Sequence, residues 1–291
     1  MTDPDRAAVE DLRDLLTIEE IDTDLYRGAA SAEAAGRVFG GLVVAQALSA
    51  AARSIGESRH AHSLHAYFLR AGDTTRPIIY RVLPDFDGSS FANRRVVAMQ
   101  DAKPILNLAA SFHRHEEGFA HAAAMPKLLP PEECPDFTGT LAAAGTAVPP
   151  TILERLAAFD MRPGPPAPRG FDGAGMPSQF LWFRLKKPME ADPAMQRVVL
   201  AYASDFALVT TAVIPHPVEF FSPRLQVASL DHAVWFHATP PVDDWLLYTM
   251  DSPWSGHARG FARGTIFDRT GRLVASVAQE GLCRVRNTEP D

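Results

Sequence analysis

The chain has 291 residues, 46% of them hydrophobic and 22% charged, a soluble globular balance with length for one large domain or two ordinary ones. A formal net charge of −7 argues against nucleic acid or an anionic membrane surface as the main partner. The opening MTDPDRAAVEDLRDLL lacks the basic-then-apolar order of a secretory signal, and Cys134 and Cys283 lie far apart without metal or redox spacing, so a reducing cytoplasm is the expected home.

In chain order, the glycine pair Gly40-Gly41 opens LVVAQALSAAA, a short helix apolar nearly all round and interrupted by Gln46 and Ser49. Strand-like runs follow at Ser63–Leu69, Ile78–Leu83, Phe91–Gln100 and Ile105–His113, with a hairpin turn predicted at 101–104. The stretch Ala120–Pro150 carries six prolines and reads as a loose linker, and the proline-rich stretch Pro163–Gly175 reads as a loop.

The second half repeats this order. Asp192 can cap a helix whose first position is Pro193. That helix runs into Val198–Ile214, seventeen residues holding one charge, Asp205. This run falls short of a membrane span, carries two threonines and ends at Pro215. Further strands are predicted at Val227–Ala238, Leu246–Met250, Ala258–Phe267 and Leu273–Arg286, with a turn at Asp268–Gly271.

Matching residues support a duplication. His65-Ala66 aligns with His232-Ala233 at an offset of 167, and Tyr80 with Tyr248, Arg95 with Arg263 and Ser111 with Gln279 at 168. An apolar helix followed by a long antiparallel sheet implies a sheet curled round the helix, and two such sheets edge to edge would hide their edge strands. The expected class is α+β, a double hot-dog of two tandem modules, divided as residues 1–120, a linker at 121–150, and 151–291.

Asp205 is the first candidate site residue, because an isolated carboxylate in apolar surroundings needs partners or a function. In a helix register its neighbours are Ala201, Tyr202, Leu208 and Val209, none of them charged. Ser229 and Gln279 supply a hydroxyl and an amide on strands of the same module, and alternation puts Gln279 on a face with Val277 and Gly281. Asp231-His232 is rejected as a dyad, since adjacent strand residues point to opposite faces. His60, His62, His65, His113, His115 and Glu116 match no metal-ligand spacing and read as surface or strand-end groups. Arg94, Arg95, Arg263 and Lys103 read by default as solvated strand faces. There is no nucleophile elbow, Walker loop, dinucleotide fingerprint or H-E-x-x-H.

The stretches GRVFGGLVVAQAL, HSLHAYFLRAGD, DGSSFANRRVVAMQ, LAYASDF, ASLDHAVWFH and GRLVASVAQEGL are similar to the acyl-CoA thioesterase II family, the TesB-type tandem hot-dog thioesterases, and the resemblance covers nearly the whole chain. It implies an Asp, a hydroxyl and a Gln around a hydrolytic water, falling on Asp205, Ser229 and Gln279, with Ser229 where many members have Thr. The first module lacks the set, so one site per chain is implied.

The function expected is hydrolysis of medium- to long-chain fatty acyl-CoA to free acid and CoA, with no metal or cofactor. Gly40-Gly41 amides are candidates to polarise the thioester carbonyl. Acyl-CoA is the expected partner, and association into a homo-oligomer stays open. Two alternatives remain: a hot-dog enoyl-CoA hydratase and a non-catalytic acyl-CoA binding protein. The hydratase needs an acid and a histidine together after the helix, and the nearest histidine downstream of Asp205 is His216.

Overall fold

The computed structural model describes residues 3–30, 36–56, 58–143, 145, 148–165, 175–218, 222 and 224–286. Most of the loop expected at Pro163–Gly175 therefore lies outside the described residues. In the first half, α1 (Pro4–Leu16) and the strands β1 (Ile18–Asp22) and β2 (Leu25–Gly28) precede the apolar helix α2 (Gly40–Arg53). Then come β3 (His60–Phe68), β4 (Ile78–Asp87), β5 (Phe91–Gln100) and β6 (Lys103–His113). The linker region holds two short helices, α3 (Phe137–Ala143) and α4 (Pro150–Leu156). The second half opens with β7 (Phe159–Pro163) and β8 (Ser178–Leu185), then the helix α5 (Pro193–Ser204). It continues through β9 (Leu225–Ser229), β10 (Asp231–Phe236), β11 (Leu246–Gly256), β12 (Arg259–Asp268) and β13 (Leu273–Val285).

The thirteen strands of the described residues form one antiparallel sheet, ordered β1-β2-β4-β5-β6-β3-β10-β13-β12-β11-β8-β7, with β9 also pairing β13. The order reads alike from both ends, so the two modules meet at β3 and β10, where Leu64 faces Val234 and Ala66 faces His232. That central pairing leaves neither strand as an open edge. Eleven of the fourteen residues of α2 are buried, as are Arg197 through Ser204 of α5. A helix apolar all round is stable only when wrapped, and here each helix has the sheet on one side and the other helix against it. This is the double hot-dog.

The register corrects the internal alignment. Arg94 faces Ala110 on β6 while Ala262 faces Gln279 on β13, so Ala110, not Ser111, is the counterpart of Gln279. Leu64, which pairs with Ala110, is the counterpart of His232, and the His65–His232 match is a coincidence of sequence. The slip has a cause in turn chemistry. The first hairpin turns through Asp101 and Ala102, both at positive φ, whereas the second uses one more residue and closes at Gly271 with φ +89°. A one-residue slip exchanges the faces of a strand, so the correction changes which side chains reach the interior.

The proline-rich linker is anchored to the second module near its middle. The indole N–H of Trp182 donates to the Leu129 carbonyl at 2.8 Å, and Cys134 is buried with Trp182, Trp245, Leu247 and Phe267. Arg94 is not on a solvated face. It is 5% exposed, and its guanidinium donates to the Ser54 hydroxyl and carbonyl and to Asp87. Arg95 and Arg263 are exposed and paired with Asp85 and Asp251, as the default reading has them.

Candidate active site

The apolar run carrying Asp205 does not stay helical. Asp192 caps α5 through the Met195 amide, as its position predicts. The helix ends at Ser204, Asp205 is its C-cap, and Ala207 at φ +60° turns the chain into a short 3-10 turn at Val209–Ala212. Asp205 therefore ends the helix rather than interrupting it, and its neighbours come from other elements.

Those neighbours are the two residues paired with it from sequence. Gln279 on β13, with no exposed surface, donates its Nε2–H to Asp205 Oδ1 at 2.6 Å. Ser229 on β9 donates its hydroxyl to the same oxygen at 3.5 Å, the outer limit of a hydrogen bond. Asp205 itself is buried. The Oε1 atom of Gln279 is buried without a hydrogen-bond partner. A buried unsatisfied amide oxygen is costly, and it marks where a donor such as water would be held.

The other carboxylate oxygen looks toward the first module. A Cβ placed on Gly40 would sit 2.9 Å from Asp205 Oδ2, and one on Gly41 would sit 2.5 Å from the Tyr202 carbonyl. The glycine pair is what lets the start of α2 approach the end of α5 so closely. Phe39, at the N-cap of α2, makes no side-chain capping bond, unlike Asp192 on α5. The site thus joins an uncapped, positive helix N-terminus from one module to a carboxylate from the other.

Sequence reasoning missed His232. Its Nδ1 lies 3.9 Å from Asp205 Oδ1, its Nε2 lies 2.8 Å from the Ser204 hydroxyl, and the ring has no exposed surface. The rejection of an Asp231–His232 dyad stands, because Asp231 Oδ1 instead accepts the Glu280 amide at 2.6 Å. A β-bulge hid the histidine. Ser229 pairs with Gly281 and Ala233 with Ala278, which leaves one extra residue between them and turns both Ser229 and His232 toward Asp205. The alternation His232, Val234, Phe236, all buried, is the signal that could have found it.

Burial pushes the His232 imidazole below its ordinary range, against the opposing pull of Asp205 and Asp231. Burial, with the charge of Asp205, raises Tyr248 well above its usual value, so its hydroxyl stays a donor, and it holds the Ser204 carbonyl at 2.9 Å. The other histidines read from sequence are elsewhere. His62 bonds Ser111 at 2.8 Å, and His113 stacks on Phe91 and bonds Glu116. A surface groove of about 680 Å³, with Trp235, Arg263 and Ser276 in its lining, does not include Asp205, Ser229 or Gln279.

The comparisons agree with this architecture. A family model described as "Acyl-CoA thioesterase" matches residues 156–282, and one described as "Acyl-CoA thioesterase N-terminal domain" matches residues 29–113. The chain is 40% identical to human acyl-coenzyme A thioesterase 8, covering 94% of this chain and 88% of that one. It is 38% identical to acyl-CoA thioesterase 2 of Haemophilus influenzae, over 93% and 96%. The solved acyl-CoA thioesterase II TesB2 of Mycobacterium marinum superposes with a TM-score of 0.80 at 36% identity, over 95% of this chain and 99% of that one. With the fold, the paired helices and both family models in agreement, the chain belongs to the TesB-type acyl-CoA thioesterase II family.

Proposed function

We propose that the protein hydrolyses medium- to long-chain fatty acyl-CoA to free acid and CoA, with Asp205 as base for one water and Ser229 and Gln279 directing it. The observation that carries this reading is the meeting on one buried carboxylate of a helix end, two strands and the glycine-paired start of the other helix. Gln279 holds the carboxylate through Oδ1, and the carboxylate takes the water proton. The water oxygen then bonds to the thioester carbon, and the oxyanion faces the Gly40 and Gly41 amides. Collapse breaks the C–S bond, and the thiolate takes up the proton that Asp205 releases. A positioned base contributes about 10²–10⁴-fold, enough for a thioester, whose carbonyl is electrophilic and whose thiolate leaves readily.

A thiol-release assay across a ladder of acyl-CoA lengths tests this, with wild type and Asp205→Asn. Release by wild type, peaking at medium to long chains, and its loss in a variant that melts normally, support the reading. Retained turnover in Asp205→Asn removes the base. An enoyl-CoA hydratase would draw on the approach of His232 to Asp205, but the ring is buried and its Nε2 is held by Ser204. Crotonyl-CoA losing its enoyl absorbance without free thiol would establish that second activity.

The division at 1–120, 121–150 and 151–291 belongs to the same proposal, and limited proteolysis tests it. So does a cytoplasmic location, which the two free cysteines support. No helix of the described residues is long and apolar enough to cross a membrane. Sedimentation decides whether the chain forms a homo-oligomer.

A further inference from the structure

We propose that His232 is the positioning residue of this site, its Nδ1 lone pair serving as second acceptor for the proton that Asp205 takes from water. The inference rests on the reading of Asp205 as base. We assign the tautomer by taking the Ser204 hydroxyl as donor to the Ala201 carbonyl. The Ser204 hydroxyl donates its one proton to the Ala201 carbonyl at 2.9 Å, so toward His232 it can only accept. His232 must then carry its proton on Nε2. Nδ1 is left as a bare acceptor, buried and without a partner, 3.9 Å from Asp205 Oδ1. Two acceptors face each other with no hydrogen between them, and a proton entering the pair would lie between both.

The first module supplies an internal control. Its helix ends at Arg53 with Ser54 as C-cap, and the Ser54 hydroxyl donates to Ala51 and accepts from the Nε of Arg94. The two residues after the helix are Ser54 and Ile55, neither of them an acid, where α5 is followed by Asp205. Leu64 stands at the position of His232 and Ala110 at that of Gln279, and both are buried. The architecture therefore fills this position with leucine where no acid needs tending. A histidine stands there only in the module that carries Asp205.

In the step, a water O–H bond breaks and its proton goes to the Asp205 carboxylate as the water oxygen bonds to the carbonyl carbon. The new O–H, on Oδ1 of Asp205, points toward Nδ1 of His232 across 3.9 Å, and the ring remains neutral. The proton leaves through Asp205 to the departing thiolate. No oxidant or further reactant enters. The charged groups acting on the ring are Asp205 from the end of α5 and Asp231 beside it; Tyr248 from β11 feels the same Asp205, and Glu280 on β13 and His65 on β3 act on Asp231.

Four variants test the inference by thiol release. Asp205→Asn is read first and tests the base alone. His232→Leu copies the first module, His232→Gln keeps a donor for Ser204 without the acceptor, and His232→Asn returns an acceptor near Nδ1. Expected for His232→Leu and His232→Gln is a fall in kcat of about tenfold or more with KM within about twofold. His232→Asn recovers part of the rate. If His232→Leu fails to fold, the Gln and Asn variants decide. Full turnover in His232→Gln, or no recovery in His232→Asn, with Asp205→Asn inactive, would show that the histidine only ties down Ser204 and would overturn the inference. Turnover retained in Asp205→Asn would instead remove the base itself.

Discussion

Gln279 and Ser229 touch the same oxygen of Asp205 unequally, at 2.6 and 3.5 Å, and their substitutions should rank accordingly. Gln279→Ala is expected to lower kcat about 10²-fold while KM stays within about twofold, as for a group whose interaction strengthens in the transition state. A rise in KM at constant kcat would favour the non-catalytic binding protein. Ser229→Ala should cost about tenfold or less, since a bond at the edge of contact contributes little. All three residues were legible in the sequence, Asp205 as a lone charge in an apolar run and the others from resemblance and strand alternation. His232 was not, because alternation counted from Ser229 across the bulge assigns it to the wrong face.

Among the elements, the crossing of α2 and α5 matters most. Gly41→Ala would press a Cβ on the Tyr202 carbonyl, backbone that cannot give way, and should destabilise the fold by about 1–3 kcal/mol in chemical denaturation. Gly40→Ala meets the Asp205 carboxylate and the Phe68 ring, which can move, so it should lower kcat more than stability. The reverse ranking would show that the start of α2 is scaffold only. Both helices were readable from their apolar runs and glycine or Asp-Pro openings. The helix end at Ser204 was not, because Ala207 adopts a positive φ that its residue type does not announce. The first strand pair of each module, β1-β2 and β7-β8, was missed for lack of clear alternation: β1 buries only its first residue.

Across the molecule, the site belongs to neither module alone. Residues 151–291 expressed by themselves would lack α2, and β10 would lose its partner β3. That fragment should be inactive and prone to associate through the bared strand, measured by thiol release and light scattering. Histidines set part of the acid side of stability, His232 buried, His60 and His62 half-buried and His237 exposed. Burial lowers His60, His62, His232 and His237 below the histidine value of 6.5, so below that pH the unfolded chain binds protons the folded one refuses. Stability should therefore be full above 6.5 and fall as the pH drops toward the depressed values, with Asp231, which burial raises, acting in the opposite sense. Melting followed from neutral to mildly acidic pH checks this, and a flat Tm would contradict it. The duplication itself was plain in the sequence, while its register was obscured by one added turn residue.

Whether Asp205 activates water or attacks the thioester itself is decided by a single turnover with enzyme in excess and solvent labelled with heavy oxygen. Action as a base puts a solvent oxygen into the fatty acid in the first turnover and leaves the Asp205 carboxylate unlabelled by peptide mass spectrometry. An unlabelled acid, with the heavy oxygen found in Asp205, would mean a covalent anhydride and would contradict the water mechanism.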